Sequence, residues 1–218
     1  YGGIDQVTVD AIERSEGRIR GIAAMPRDAN ERHLDFLVDK NFCGIRLSSF
    51  SPGAVRLDQL EAMAPIMEEL GWATLIHLTD IEELIELAPR IEKLSANIIF
   101  DHLARVRSHN TLDSPGFRTL LALLRDTDHC WAKICSWYRL SGSGAPYDDM
   151  TPYARALIET RPDRLVWGTN WPHPNSYIAT PNDGDLLDQF MNWADDNETR
   201  QQILVDNPAR LFGFETPA

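Results

Sequence analysis

The stretch Ala73-Thr-Leu-Ile-His-Leu-Thr-Asp-Ile-Glu-Glu-Leu-Ile-Glu-Leu-Ala-Pro-Arg-Ile-Glu-Lys-Leu-Ser-Ala-Asn-Ile-Ile-Phe-Asp-His102 decides the fold. A short apolar run, Ala73–Leu78, gives way to an amphipathic segment, Ile81–Leu94, and then to a second apolar run, Asn97–Asp101. Apolar runs too short for helices and without alternating polarity read as strands covered on both faces. The segment between them reads as the helix that returns the chain to start a parallel neighbour. Asp80 ahead of that helix, with Glu83 three residues on, is the pattern that satisfies unpaired N–H groups at a helix start. Gly71 stands where a C′ glycine would end the preceding helix.

The same unit recurs along the chain. Strands are predicted at Arg18–Ala24, Cys43–Leu47, Ala73–Leu78, Asn97–Asp101, Cys130–Cys135 and Arg164–Gly168. Helices are predicted at about Asp28–Lys40, Leu57–Leu70, Ile81–Leu94, Pro115–Arg125, Thr151–Thr160, Asp183–Ala194 and Thr199–Val205, after a helix-like start at Asp5–Ser15. Ser114 before Pro115 reads as a helix cap. An open doubly wound sheet would carry a Gly-rich phosphate turn after an early strand, and none occurs. The expected fold is therefore α/β, a distorted (β/α)8 TIM barrel. Because such barrels take ~250 residues, six strands in 218 residues lead us to expect one domain spanning 1–218, N-terminally incomplete, with a front β-α-β absent from this chain.

Composition narrows the partners. A formal charge of −12, with Lys and Arg scattered, repels phosphate backbones and anionic lipid, so nucleic acid and membranes are not expected partners. No apolar run reaches the ~20 residues that span a bilayer, and no signal-like segment opens the chain, so a cytoplasmic location is expected. Cys43, Cys130 and Cys135 lack metal-site spacing and read as reduced core thiols. Ser141–Pro146 reads as a flexible loop.

In a parallel barrel, chemistry sits at the C-terminal ends of the strands. Polar residues stand there in succession: Arg46, His77, Asp101-His102, Arg105 one loop step later, Lys133, Tyr138-Arg139, and the run Trp167–Asn175. A single one, such as His77, reads as a hydrogen-bonded core histidine, but convergence from several strands reads as a site. Arg46, Arg105 and Arg139 near one mouth suit a small anionic substrate held by forked hydrogen bonds to its carboxylate; the plain alternative for each is an ion pair within this acidic chain. Lys133 has apolar strand neighbours, a setting that also suits a side chain turned outward between strand and helix, and it is not counted as catalytic. His173 and Asn175 follow the last strand, where ligand and rigid packing turn weigh equally for His173. His33, His109 and His129 read as surface residues.

Four segments carry a family resemblance: Phe100-Asp-His-Leu-Ala-Arg105, Trp137-Tyr-Arg-Leu-Ser141, Val166-Trp-Gly-Thr-Asn-Trp-Pro-His-Pro-Asn175 and Asp206-Asn-Pro-Ala-Arg-Leu-Phe212. Together they resemble the amidohydrolase-related family, in the branch that contains the 2-pyrone-4,6-dicarboxylate lactonases and galactarolactone isomerases. The resemblance implies a distorted barrel acting on lactones of small polycarboxylates, some relatives using a divalent metal and the pyrone lactonases none. It also implies a His-x-His pair on the first strand, a histidine matching His102, and a last-strand Asp acting as general base or metal ligand. The six histidines here, His33, His77, His102, His109, His129 and His173, form no such pair, and the last-strand Asp falls at Asn170.

An amide has no useful basicity near neutral pH. The reading is thus a site with His102 and Asn170 catalytic and with Arg46, His77, Arg105, Arg139, His173 and Asn175 binding substrate. No cofactor is expected, and no metal unless a preceding His-x-His supports a zinc-like ion. Without an activated water, a hydroxyl of the substrate can attack the lactone carbonyl, giving isomerisation. The alternatives are a lactonase with another base, such as His173, and a non-catalytic small-acid binding protein.

Overall fold

The computed structural model describes residues 6–24, 26, 30–49, 56–174 and 179–215. Six parallel strands pair in sequence order: β1 Gly21–Ala23, β2 Phe42–Ser48, β3 Ala73–His77, β4 Asn97–Phe100, β5 Cys130–Ile134 and β6 Leu165–Trp167. They form a curled half-barrel sheet. Helices α1 Gln6–Arg14, α2 Glu31–Asp39, α3 Leu60–Glu69, α4 Glu83–Ile91, α5 Pro115–Asp126, α6 Thr151–Thr160 and α7 Asp183–Trp193 pack on its outer face. Among the described residues no helix is long and apolar enough to cross a membrane.

Strand parity sorts the side chains into two layers. Outward residues such as Ile45, Leu47, Ile76, Ile98, Phe100, Ala132 and Ile134 join the core beneath the helices. Inward ones form a second cluster of Ala73, Leu75, Ile99, Trp131 and Val166, closed at the base by Leu211. The register then aligns Ser48 with His77 and Lys133 with Val166, and one step beyond the paired residues Ile76 and Phe100 it sets Asp101 beside His77. A layer of polar side chains therefore sits directly on the apolar floor. Gly44 permits this close curl, because a Cβ there would run into the Ala73 carbonyl.

The segment Asn197–Gln201 (α8) is capped by Asp196, which accepts from Thr199 N at 2.8 Å. It widens to a π turn at Gln202–Asp206 and resumes as α9, Asn207–Phe212. The predicted helix Thr199–Val205 is thus interrupted. The Asn207 amide donates to the carbonyls of Pro162 and Leu165, at 2.7 Å each, which pins the turn against β6. Below the floor, Arg164 and Arg210 lie 5.1 and 5.0 Å from the Trp131 ring centroid.

Other departures from the sequence reading are local. The first strand is shorter than Arg18–Ala24, because Arg18 Nε (2.9 Å) and Ile19 N (3.1 Å) are held at the end of α1 by Ser15. Leu57–Gln59 is a 3-10 turn leading into α3. Part of the predicted helix Asp28–Lys40 lies outside the described residues. Glu83 accepts from the Asp80 N–H at 3.1 Å, as the capping pattern predicts, whereas the Ser114 hydroxyl oxygen accepts from the Thr111 N–H at 2.8 Å and makes no cap bond to the helix. Gly71 has φ +65°, as a C′ glycine requires. All three cysteines are free and buried.

Candidate active site

The inward layer at the strand ends is organised around Asp101, which is 2% exposed. Its Oδ1 lies 3.5 Å from Lys133 Nζ and 3.1 Å from the His102 backbone N–H, and its Oδ2 lies 3.5 Å from Arg46 Nη2 and 3.2 Å from His102 Nε2. Burial alone would raise this carboxyl, but Lys133, His102, Arg46 and His77 together hold it well below the ordinary carboxylate range. Lys133 is correspondingly raised, first by Asp101. The outward reading of Lys133 is corrected by strand parity: Ala132 and Ile134 take the outward face of β5, and Lys133 turns in with Trp131.

His102 and His77 meet edge to face, ring centroids 4.9 Å apart. Burial pushes His102 down to about 4 against the pull of Asp101, and pushes His77 down to about 3 with Arg46 adding to it. Both imidazoles are neutral near pH 7. Arg46 Nη2 contacts His77 Nδ1. His102 Nδ1 lies 3.1 Å from Cys135 Sγ, so its two ring nitrogens are engaged by Cys135 and Asp101. Residues His102–Arg105 all have positive φ, between 50° and 66°, a left-handed turn that non-glycine residues adopt only under tertiary constraint. That turn carries Arg105 back over the mouth.

Arg105 is part-buried, and its pKa is lowered by burial and then by Arg107 and Arg139. Among the described residues no carboxylate comes within 4.0 Å of Arg105 or Arg139, while Arg107 has Asp80 at 4.0 Å. The Ser141–Pro146 loop beside them is fastened by Asp149, which accepts from Ser141 Oγ (2.6 Å), Gly142 N (2.7 Å) and Ser143 Oγ (2.8 Å). These bonds tie down the segment that the sequence marked as flexible.

Beyond β6, Asn170 (φ +70°) donates through Nδ2 to Tyr138 OH at 2.8 Å and to Ser136 Oγ at 3.2 Å. His173, 5% exposed, contacts Tyr138 OH through Nδ1 at 2.8 Å and Asp183 Oδ1 through Nε2 at 3.0 Å. Asn175 lies outside the described residues. The structure thus gathers Arg46, His77 and His102 in one group and Asn170 and His173 in a second, with Arg105 and Arg139 at the rim. Sequence reading counted Asp101, Lys133 and Tyr138 among the strand-end polar groups without giving them a role, and did not place Cys135 or Asp183 there at all. For Asp101, Lys133 and Cys135 the available signal was parity, two residues on from Ile99, Trp131 and Lys133.

Asp101, His102 and Cys135 present donor atoms within 4.8 Å of one another. As charged, however, they do not fit a divalent ion. Lys133 and Arg46 already face the Asp101 carboxylate, and burial pushes the Cys135 thiol up to about 12, away from the thiolate a metal requires.

A half-barrel of parallel strands with a polar layer at their C-terminal ends has the arrangement of a TIM-barrel enzyme site, and the chain belongs to the amidohydrolase family, whose model matches residues 1–214. It is 37% identical to the 4-sulfomuconolactone hydrolase of Hydrogenophaga intermedia (98% of this chain, 71% of that one). It is 33% identical to the 2-pyrone-4,6-dicarboxylate hydrolase of Comamonas testosteroni (97% and 72%) and 29% identical to the D-galactarolactone isomerase of Agrobacterium fabrum (96% and 77%). An apo crystal structure from Agrobacterium tumefaciens superposes with a TM-score of 0.85 at 27% identity, covering 96% of this chain and 75% of that one. The protein is an enzyme of the amidohydrolase superfamily, similar to lactone hydrolases and a lactone isomerase.

Proposed function

We propose that the protein isomerises a small, carboxylate-bearing sugar-acid lactone. The observation that carries this reading is Asn170: both amide hydrogens are engaged by Tyr138 and Ser136, so the position holds no base for water. The guanidinium groups of Arg105 and Arg139, with Arg46 deeper in, bind the carboxylate. Lys133 polarises the ring carbonyl, joined by neutral His102 when its Nε2–H exchanges the Asp101 carboxylate for that oxygen. A substrate hydroxyl, held close, then attacks at high effective molarity. Its oxygen forms the new acyl bond, the ring C–O bond breaks, and the hydroxyl proton passes to the released oxygen, so no water is consumed. Asn170, His102 and Lys133 are the catalytic residues of this reading, Lys133 being the one that sequence reading did not count; Arg46, His77, Arg105, Arg139 and His173 shape the binding site.

A second reading, lactone hydrolysis, is favoured by the names of the relatives from Hydrogenophaga and Comamonas. Turnover of an aldaric 1,5-lactone in 18O-labelled water separates the two. Isomerisation gives the 1,4-lactone without label, and early appearance of labelled open diacid would sink the isomerase reading.

A further inference from the structure

We infer that Asn170, Tyr138 and His173 form a hydrogen-bond chain whose direction the Asp183 carboxylate fixes, and which turns the Asn170 carbonyl toward the substrate as an acceptor for its attacking hydroxyl. The inference deepens the isomerase reading of the same site, but its test stands apart from that reading.

The direction follows from the buried end. Asp183 sits in the first turn of α7, and its Oδ1 approaches His173 Nε2 at 3.0 Å, a charge contact between two buried atoms neither of which makes a hydrogen bond of regular geometry. A carboxylate oxygen at this distance would repel a bare imidazole lone pair, so Nε2 carries the hydrogen. In a neutral imidazole Nδ1 is then an acceptor, and the group facing it at 2.8 Å is Tyr138 OH. The phenol has one hydrogen, and it is thereby committed to His173. Toward its remaining neighbour, Asn170 at 2.8 Å, the phenol oxygen can only accept. The Asn170 amide must therefore present Nδ2 to Tyr138. The two ends of an amide are otherwise interchangeable in outline, so this chain settles their placement. Oδ1, to which no described protein group donates, is left for the substrate in a part-exposed residue.

Tyr138, His173 and Asp183 act through Asn170 and are positioning residues. The same logic constrains reversal to a carboxylate. In Asn170→Asp the new side chain needs a donor at Tyr138, so His173 Nδ1 must donate in turn while Nε2 still serves Asp183. His173 is then driven to the imidazolium, between carboxylates at either end of the chain.

Nitrogen-15 NMR of the full chain at pH 7 reads this directly. The wild type is expected to show His173 as the neutral Nε2–H tautomer, and Asn170→Asp to show it doubly protonated. Asp183→Asn, whose amide can donate to Nε2, is expected to shift His173 to the Nδ1–H tautomer. In lactone turnover that variant should lose roughly tenfold in kcat with KM nearly unchanged, because the arginines are untouched. A wild-type His173 that is Nδ1–H or charged, or an Asn170→Asp protein with neutral His173, overturns the inference. Should the tautomers be as stated while 18O enters the product, the chain stands and the isomerase reading alone falls.

Discussion

Replacing Lys133 by Met removes one of the cations that keep Asp101 ionised. Two unit charges 3.5 Å apart at an effective dielectric near 20 attract by about 5 kcal/mol. Lys133 keeps 30% side-chain exposure and Arg46 also stands 3.5 Å from Asp101, so solvent screening and the remaining partner reduce the loss. A destabilisation of about 2 kcal/mol is expected, below the 3–5 kcal/mol typical of fully buried pairs. The sign with pH is also fixed. In the variant, burial is less opposed and the folded pKa of Asp101 rises, so protonation becomes easier in the folded state. The deficit relative to wild type should then hold level from pH 7 to about 4 and shrink only below that, where the variant's folded carboxyl takes up its proton before that of the wild type does. Urea unfolding at several pH values measures both, and Lys133→Met with Asp101→Asn completes a double-mutant cycle in which the second change restores about 1 kcal/mol or more. A single-variant loss under 0.5 kcal/mol that does not vary with pH, or strict additivity in the cycle, would refute the reasoning.

Arg105→Met should raise KM for an anionic lactone roughly 30-fold, the equivalent of about 2 kcal/mol. Melting temperature should hold steady or rise, because Arg105 is repelled by Arg107 and Arg139; a lower melting temperature with KM unchanged would make it a structural residue. His102 and His77, held down to about 4 and about 3 by burial, refuse protons that the unfolded chain takes up near 6.5. Stability should therefore fall as pH drops from 6.5 toward 4, by up to about 1.4 kcal/mol per unit for each histidine, and His77→Gln should flatten that slope in acid unfolding curves. Asp149→Ala should cost about 2 kcal/mol through the lost hydrogen bonds and open the 141–146 loop to limited proteolysis. In the wild type the hydrogen bonds to Asp149 outweigh burial and lower its pKa. The loop's anchorage should persist above about pH 4 and weaken as pH falls further, through that lowered value.

The barrel frame was readable because each strand is an apolar run with helices on one face and a packed floor on the other. Ile98 and Phe100 alternate with Ile99 and Asp101 with no break that the eye could miss. Parity also held the answer for Lys133. Its neighbours Ala132 and Ile134 suggested a buried strand, but only the period of two shows that Lys133 shares the face of Trp131. What the sequence could not show is how far apart the ends of the chain's polar groups come to rest. His102 reaches Cys135 because a turn of four left-handed residues follows β4, and nothing in Leu103 or Ala104 announces that conformation. The interruption at Gln202–Asp206 was invisible for a similar reason: a widened turn keeps the same apolar residues and changes only their spacing in space.

Among the described residues, five cations, Arg46, Lys133, Arg105, Arg107 and Arg139, surround Asp101 and Asp80 at the mouth, while Asp149 and Asp183 are taken up by the 141–146 loop and by His173. Such a bias acts on departure as well as on arrival. Opening a lactone with water adds a carboxylate, and the more anionic diacid would linger among these cations. Exchanging one lactone ring for another leaves the charge as it was, so the product leaves as readily as the substrate came. The electrostatics of the mouth thus bear on turnover through release, and they penalise an enzyme that makes charge more than one that conserves it.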